Sequence, residues 1–172
     1  IDNGRGIPVD MHKQYKKSAL ELVLTKLHAG GKFDNHIYKV AGGLHGVGVS
    51  AVNALSTHLT AQVKRDGNLY EQEFKRGVPV CPVKKIGKAT GTGTTITFEP
   101  DATIFPEIAF NKAIIIDHIR HHAYLTAGVR MTFSDEREAE VTHYAFYFEG
   151  GIASYVRYLN VDSKPLQEEV FA

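Results

Sequence analysis

Residues 42–50, Gly-Gly-Leu-His-Gly-Val-Gly-Val-Ser, place four glycines immediately before an apolar helical pattern. At Gly43, Gly46 and Gly48 the missing side chains leave main-chain N–H groups free to point at an anion, and a helix beginning near Val47 adds the positive end of its dipole. The stretch therefore predicts a loop that holds phosphate groups. It differs from the dinucleotide fingerprint, because its glycines follow the reverse order and no strand precedes them. A nicotinamide-dependent oxidoreductase is therefore disfavoured.

Two further glycine-rich segments, residues 2–8 (DNGRGIP) and residues 91–95 (GTGTT), are candidates for contact with a ligand. A carboxylate at a strand end, followed by Gly4 and Gly6, can lie at the floor of a pocket and accept a hydrogen bond from an exocyclic amine. On its own, DNGRG is equally typical of an ordinary tight turn. The six glycines from position 30 to position 48 predict a mobile flap that lets the main chain approach a ligand.

The hydrophobic pattern predicts one α+β domain over residues 1–172. Helical periodicity occurs at residues 18–27, 48–55, 110–125 and 152–159, and strand patterns occur at residues 59–64, 70–74, 94–98, 129–133 and 141–148. A hairpin turn is predicted at Asp66-Gly67, and a charged turn at residues 135–140. Because helices and paired strands are interleaved, the expected architecture is an α+β sandwich.

Two of these helices carry specific expectations. Ser18 and Glu21 are expected to form a capping box at the start of the first helix. Gly30 and Gly31 are expected to end it. The residues expected to face the core are Ala19, Leu22, Val23 and Leu27 in the first helix, and Ile114, Ile115 and Ile119 in the helix over residues 110–125.

Composition excludes several classes of protein. The 20 Lys and Arg against 19 Asp and Glu give a net charge of +1, which does not by itself imply a nucleic-acid or membrane partner. The longest uncharged aliphatic run, residues 113–116, is too short for a membrane helix, and the amino terminus has no signal-peptide pattern. The single cysteine, Cys81, cannot make an internal disulfide, so a cytoplasmic location is expected. A start at Ile1, without Met, predicts that the sequence is a fragment of a longer chain.

Three conspicuous sets of residues receive structural rather than functional interpretations. Histidines on one face of a helix lack a carboxylate or thiolate to complete a zinc site, and are interpreted as surface residues. Alternating aromatic residues are interpreted as a sheet core face rather than a base-stacking surface, and a lysine run as a solvated loop. The histidines are His118, His121 and His122; the aromatic residues are Tyr144, Phe146 and Phe148; and the lysines are Lys84, Lys85 and Lys88.

Four segments together resemble, in order and spacing, the amino-terminal ATPase domain of the B subunits of bacterial type II topoisomerases, gyrase and topoisomerase IV. They are residues 2–6 (DNGRG), 27–33 (LHAGGKF), 42–48 (GGLHGVG) and 92–94 (TGT). The resemblance covers nearly the whole chain. The DxGxG and GxxGxG boxes are shared with heat-shock chaperones, sensor histidine kinases and MutL, whereas LHAGGKF and SAVNALS resemble the topoisomerase branch. The resemblance implies a two-layer sandwich with a mixed, mostly antiparallel sheet, here lacking its first helix.

The resemblance also implies roles at the adenine end of an ATP site. Asp2 matches the aspartate that accepts the adenine amino group, and Thr94 lies beside it through a shared water. Gly6, Ile7 and Pro8 match the turn that borders the base.

Other positions are implied to surround the rest of the nucleotide. Arg5 matches an arginine at the mouth of the pocket, and Arg65 matches the arginine outside the adenine pocket that aminocoumarin-type inhibitors use. The lid residues implied to contact ribose and phosphates are Lys32, Tyr38 and Lys39. The loop residues implied to hold the β- and γ-phosphates are Gly43, Leu44, His45, Gly46, Val47 and Gly48.

The activity implied is ATP binding and Mg²⁺-dependent hydrolysis that drives closure of a homodimeric gate and passage of DNA, together with a topoisomerase A subunit. In the family the general base and an Mg²⁺ ligand lie upstream of the position of Ile1, so we assign no catalytic or metal-binding residue in this chain and expect it to be inactive alone. Two alternatives remain: a nucleotide-binding module without hydrolysis, and a chaperone or mismatch-repair ATPase of the same superfamily.

Overall fold

The structure, a computed structural model, describes residues 1–27, 46–164, 167, 169 and 170. The chain divides into two compact units, Ile1–Ile108 and Ala109–Ala172. The sequence predicts a single domain over residues 1–172, and the division into compact units does not test that prediction. Residues 30–45 of the expected flap lie outside the described residues.

The first unit is built on an antiparallel sheet. A short hairpin of β1 (Met11–His12) and β2 (Lys17–Ser18) leads into helix α1 (Ala19–Thr25), and helix α2 (Gly48–Ala54) leads into the sheet. The sheet strands are β3 (Ser56–Arg65), β4 (Asn68–Lys75), β5 (Val78–Pro79), β6 (Lys84–Lys88) and β7 (Gly93–Pro100). Their order is β5-β4-β3-β7, with β6 also paired to β4. The predicted hairpin turn is confirmed, since Asp66 and Gly67 have φ of 51° and 73°, as a type I′ turn requires.

The core of the first unit lies on one face of this sheet. Its fully buried hydrophobic members are Leu20, Leu24, Leu59, Ala61, Val63 and Phe74. The three from β3 alternate along the strand, so one side of the strand faces the core. Leu20 and Leu24 of α1 belong to the same buried cluster as the sheet residues, and this helix contributes to the second layer. The expected α+β sandwich is confirmed.

Helix α1 begins as expected, and its buried residues are only partly those expected. Ser18 Oγ accepts a hydrogen bond from the main-chain N–H of Glu21 at 3.1 Å, which confirms the predicted cap. Leu22, expected in the core, is buried, and so are Leu20 and Leu24, which were not expected there. Leu27, also expected in the core, is 66% exposed. The helix has apolar residues on more than one side, and the sheet contact places Leu20 and Leu24 in the central cluster while Leu27 stays outside it.

The expected glycine stop of this helix is wrong. Helix α1 ends at Thr25, and Lys26 is extended with φ of −110° and ψ of 135°. The Lys26 N–H still donates to Leu22 O at 2.9 Å, so the last turn closes before the chain leaves the helix. Gly30 and Gly31 lie outside the described residues.

Two expectations about strands were also wrong. The lysine run expected in a loop forms β6, which pairs antiparallel with β4. Its lysines remain exposed, and charge at such an edge discourages pairing with another strand. The strand expected to be buried over residues 94–98 is β7, of which only Gly93 and Thr94 are buried, while Phe98 is 43% exposed.

The second unit contains helix α3 (Lys112–Leu125), strands β8 (Met131–Asp135) and β9 (Thr142–Phe146), and helix α4 (Gly151–Leu159). Strands β8 and β9 form an antiparallel pair, which confirms the predicted hairpin. Asn111 caps α3 by accepting from Ile114 N at 3.2 Å. In the described part of the chain, no helix has the length and apolar character needed to cross a membrane.

The core residues expected in this unit are corrected in part. Ile114 is 68% exposed and Ile116 is the buried member of the isoleucine run, because three consecutive isoleucines do not reveal which one faces inward. Of the alternating aromatics, Phe148 stacks on buried Tyr124 with ring centroids 3.7 Å apart. Tyr144 is 39% exposed, so a core role for it was wrong.

Candidate functional site

Asp2 is held beside the start of β7. Its main-chain N–H donates to Thr94 O at 2.8 Å. Its carboxylate oxygen Oδ1 accepts hydrogen bonds from Gly4 N at 2.9 Å and Thr94 N at 3.2 Å. One carboxylate oxygen is therefore positioned by two main-chain donors from different parts of the sequence, while the side chain remains open to solvent. A carboxylate held in this way can accept further hydrogen bonds from a ligand through its other oxygen.

Thr94 joins the two ends of the DNGRGIP turn. It is 7% exposed, and its Oγ1 accepts a hydrogen bond from Ile7 N at 3.3 Å. Ile7 and Val9 pack against the hydrophobic core of the first unit. The threonine therefore contacts both the start of the turn, at Asp2, and its exit, and the structure brings these sequence-predicted residues together.

Two glycines allow the turn to lie directly on the sheet. Gly6 has φ of 74°, and a Cβ on it would lie 2.7 Å from Lys64 O and 3.0 Å from Val63 Cγ1. Gly93 has φ of 150°, and a Cβ there would overlap the main-chain carbonyl of Asp2. Both positions combine a backbone conformation that favours glycine with no room for a side chain.

Arg65 fastens the turn to the end of β3. Its guanidinium donates from Nη1 to Gly6 O at 3.0 Å and to Arg5 O at 3.4 Å. Its Nε lies 3.4 Å from Asp66 Oδ2. The sequence pointed to Arg65 only as a residue outside the base pocket, and these carbonyl contacts across 59 and 60 positions were not predicted. Nothing in the spacing of Arg65 from the turn signals them.

The described end of the glycine loop leads into α2 as expected. Gly46 has φ of 61°, and Val47 is the residue before the first turn of the helix. Ser50 Oγ donates to Val47 O at 3.0 Å, and Ala51 N donates to the same oxygen at 2.9 Å. The other residues assigned to the lid and loop, which are Lys32, Tyr38, Lys39, Gly43, Leu44 and His45, lie outside the described residues.

The remaining predicted site residues lie within the turn. Arg5 and Pro8 are exposed, and Ile7 is half-buried. The described residues assemble no group of three or more His, Cys, Asp or Glu side chains that could hold a metal ion. The described site can therefore recognise hydrogen-bond donors and an apolar surface, and we assign it no proton-transfer or metal chemistry.

A buried acid missed by sequence reasoning lies at the far end of β7. Asp101 is 1% exposed, and its carboxylate accepts hydrogen bonds from Thr103 N at 2.9 Å, Thr103 Oγ1 at 2.7 Å and Arg76 Nε at 2.5 Å. The hydrogen bonds from Thr103 first, and then those from Arg76, hold the pKa of Asp101 below its ordinary value. The group fixes the chain after β7 and belongs to the scaffold of the first unit.

Comparison with known proteins identifies the family. The family described as histidine kinase-, DNA gyrase B-, and HSP90-like ATPase matches residues 1–104. The matched range includes Asp2, Gly6, Arg65 and Thr94, whose contacts form the site described above. It also includes the loop that leads into α2.

Individual relatives are similar over nearly all of this chain. The DNA gyrase B subunit of Thermotoga maritima is 49% identical over 98% of the chain and 26% of its own length. The corresponding gyrase protein of Borreliella burgdorferi is 47% identical over 99% of the chain and 27% of its own length. The chain thus spans about a quarter of the length of these curated relatives.

A solved structure has the same fold. The 43K ATPase domain of Thermus thermophilus gyrase B, in complex with an aminocoumarin, matches with a TM-score of 0.79 and 35% sequence identity. The match covers 98% of this chain and 42% of that one. With the family match over more than half of the sequence, the chain belongs to the histidine kinase-, DNA gyrase B- and HSP90-like ATPase family.

Proposed function

We propose that this chain is the ATP-binding part of the B subunit of a bacterial type II DNA topoisomerase. The observation that carries the proposal is the Asp2 carboxylate, whose Oδ1 is occupied by two main-chain N–H donors. The position of this carboxylate does not depend on a ligand, so little ordering is needed when one binds. The relatives named as the B subunit of DNA gyrase support the type of parent protein.

The second oxygen of Asp2 provides recognition of adenine. A carboxylate only accepts hydrogen bonds, so it favours a base with an exocyclic amine at that point. Guanine presents a carbonyl oxygen there, and two acceptors would face one another without a proton between them. Ile7 and the turn around Gly6 supply an apolar border for the ring. The site is therefore expected to prefer ATP to GTP.

The phosphate groups are assigned to the loop before α2. In this proposal the main-chain N–H groups of Gly46, Val47 and Gly48 are donors to phosphate oxygens. The positive φ of Gly46 is the conformation that lets successive N–H groups converge on an anion. The assignments of Lys32, Tyr38, Lys39, Gly43, Leu44 and His45 stay predictions.

The activity of the whole protein extends beyond this chain. We propose that ATP binding brings two B subunits together and that hydrolysis resets a gate through which DNA passes. The complete enzyme would also contain an A subunit and would act in the cytoplasm. Magnesium would neutralise phosphate charge during hydrolysis. The described residues contain no cluster of three or more metal-binding side chains, and we assign no magnesium ligand among them.

The test is a titration of the chain with a fluorescent, non-hydrolysable ATP analogue, followed by competition with ATP and GTP. Asp2→Asn keeps the size of the side chain and can still accept at Oδ1, but its amide N–H₂ would face the adenine amine. A charge-assisted hydrogen bond contributes about 1.5–3 kcal/mol, so affinity should fall about ten- to a hundredfold. The matched control is Asp10→Asn, which makes the same charge change at an exposed position eight residues along.

The proposal fails if Asp2→Asn binds the analogue within twofold of the unchanged protein, or if the unchanged protein binds GTP as well as ATP. Loss of affinity in the Asp10 variant as well would indicate a general effect of charge, and would also count against the assignment. A far-UV circular dichroism spectrum of each variant checks that the fold is retained.

Aminocoumarins form a second ligand class for this site. The Thermus thermophilus domain is in complex with one, and we propose that this chain binds the same class beside Arg65. The Arg65 side chain is 28% exposed, and its guanidinium is already oriented by the carbonyls of Gly6 and Arg5. Arg65→Ala should weaken aminocoumarin binding at least tenfold and ATP binding less. Equal losses for the two ligands would show that Arg65 acts only by holding the turn.

A further inference from the structure

Two histidines of α3 meet through their ring nitrogens. The Nε2 atoms of His118 and His122 are 3.1 Å apart, at the exposed surface of the second unit. The ring centroids are 4.5 Å apart and the ring planes are inclined at 69°. Side chains four positions apart project from successive turns on the same face of a helix, so the helix itself brings the two rings close together.

The separation of the two nitrogens suits chelation of one metal ion. Imidazole nitrogens bind zinc at about 2.0–2.1 Å. An ion at about 2.05 Å from both Nε2 atoms would make an N–metal–N angle of about 98°, given their 3.1 Å separation. This angle lies between the values of about 90° and about 109° found in square-planar and tetrahedral coordination. The helix therefore presents both ligands without a change in its main chain.

The third histidine of the sequence triplet does not join this pair. His121 Nδ1 lies 3.3 Å from Asp117 Oδ2, and its ring packs edge-on against Tyr155 at 5.4 Å between centroids. The part of the chain described here contains no cluster of three or more metal-binding side chains, so the pair supplies two protein ligands and water would complete the coordination. The structure thus separates a pair from the three histidines that the sequence grouped together.

We propose that His118 and His122 form a two-histidine site for a divalent transition-metal ion of the imidazole-preferring class: copper, nickel or zinc. Copper should bind most tightly, as its place in the affinity order of divalent ions requires. Magnesium should not bind, because it prefers oxygen ligands. On binding, the ring whose Nε2–H donates to the other Nε2 changes to the tautomer protonated at Nδ1, and both Nε2 lone pairs face the ion. The pair belongs to the second unit and the proposed nucleotide site to the first.

The test is calorimetric titration of the 172-residue chain with zinc chloride, and separately with copper(II) chloride, in a buffer that does not bind metal. His118→Gln and His122→Gln each remove one ligand, and each should weaken the affinity for the most tightly bound metal ion more than tenfold. His121→Gln is the matched control on the same helix and should change affinity less than twofold. Nitrogen hyperfine structure in the copper electron paramagnetic resonance spectrum should correspond to two imidazoles in the unchanged chain and to one in each pair variant.

Folding is checked by circular dichroism. His118 is exposed and His121 and His122 are half-buried, so glutamine at these positions is expected to leave the helix intact. The proposal is overturned if the double variant His118→Gln, His122→Gln still binds one metal ion tightly. It is also overturned if His121→Gln weakens metal binding as much as His118→Gln or His122→Gln does. The first result would place the ion at residues other than this pair, and the second would make His121 a ligand as well. The absence of binding by the unchanged chain would also overturn it.

Discussion

Replacing Gly6 with alanine should lower the free energy of unfolding for two reasons, an unfavourable backbone conformation and a steric overlap with β3. Comparison with Gly67→Ala should separate the two. Gly6 and Gly67 have nearly equal φ, 74° and 73°. A Cβ on Gly67 meets nothing within 4 Å, whereas a Cβ on Gly6 would lie 2.7 Å from Lys64 O. Both substitutions therefore carry the cost of a left-handed conformation, about 1–2 kcal/mol, and only Gly6→Ala adds a steric conflict.

The size of the steric part follows from what must move. Lys64 belongs to β3, which is paired on both sides, so the turn must shift rather than the strand. Overpacking of this kind costs about 1–3 kcal/mol. A shift would also stretch the hydrogen bond from Arg65 to Gly6 O and the one from Ile7 N to Thr94 Oγ1. Gly6→Ala should therefore lose about 2–5 kcal/mol of unfolding free energy, against about 1–2 kcal/mol for Gly67→Ala.

Urea denaturation of the two variants and the unchanged chain measures this difference, and titration with the ATP analogue measures its effect on the site. Gly6→Ala should bind the nucleotide at least tenfold more weakly, because the turn carries Asp2, while Gly67→Ala should bind normally. The reasoning is refuted if the two variants have unfolding free energies within about 0.5 kcal/mol of each other, the usual scatter for surface substitutions. Unchanged nucleotide affinity in Gly6→Ala would refute the link between the turn and the site.

Other expected outcomes test the scaffold. The folded-state pKa of Asp101 is below its ordinary value of 3.8, so its contribution to stability is present above that pH and is lost as pH falls towards the folded pKa. Asp101→Asn should therefore destabilise the chain at neutral pH and flatten the dependence of stability on pH below about 4, measured by urea denaturation across the acid range. Ser18→Ala should cost about 1 kcal/mol through loss of the helix cap, with the exposed Ser163→Ala as a control that changes little in the same measurement. Leu24→Ala should cost about 2–5 kcal/mol and Leu27→Ala less than about 0.5 kcal/mol, and the reverse order would restore the helix face first expected from the sequence.

Several features of this protein depend on local chemistry and could be predicted from sequence. The Asp66-Gly67 turn needs positive φ at two positions, and these residue types tolerate it. The Ser18 cap needs only a hydroxyl three residues before a free N–H. Family membership was predictable because four glycine-rich segments occur in a fixed order, and the family match over residues 1–104 bears it out.

Other features depended on contacts between distant parts of the chain. Periodicity indicated that α1 has an apolar side, but the sheet selected Leu20 and Leu24, rather than Leu27, for burial. The lysines of β6 looked like a solvated loop because their side chains are exposed, while their main chain pairs with β4. Pairing uses main-chain groups that every residue possesses, so composition carries little information about it.

The candidate site shows the same division. Residue types and their order pointed to a carboxylate followed by glycines, together with a second glycine-rich segment, and led to the prediction that an amine is recognised there. The folded chain was needed to show that Thr94 reaches both Asp2 and Ile7, and that Arg65 bonds to the carbonyls of a turn about 60 residues earlier. The reason is that hydrogen bonds and close packing act over a few ångströms in space, and sequence spacing does not specify which distant residues the fold brings within that range.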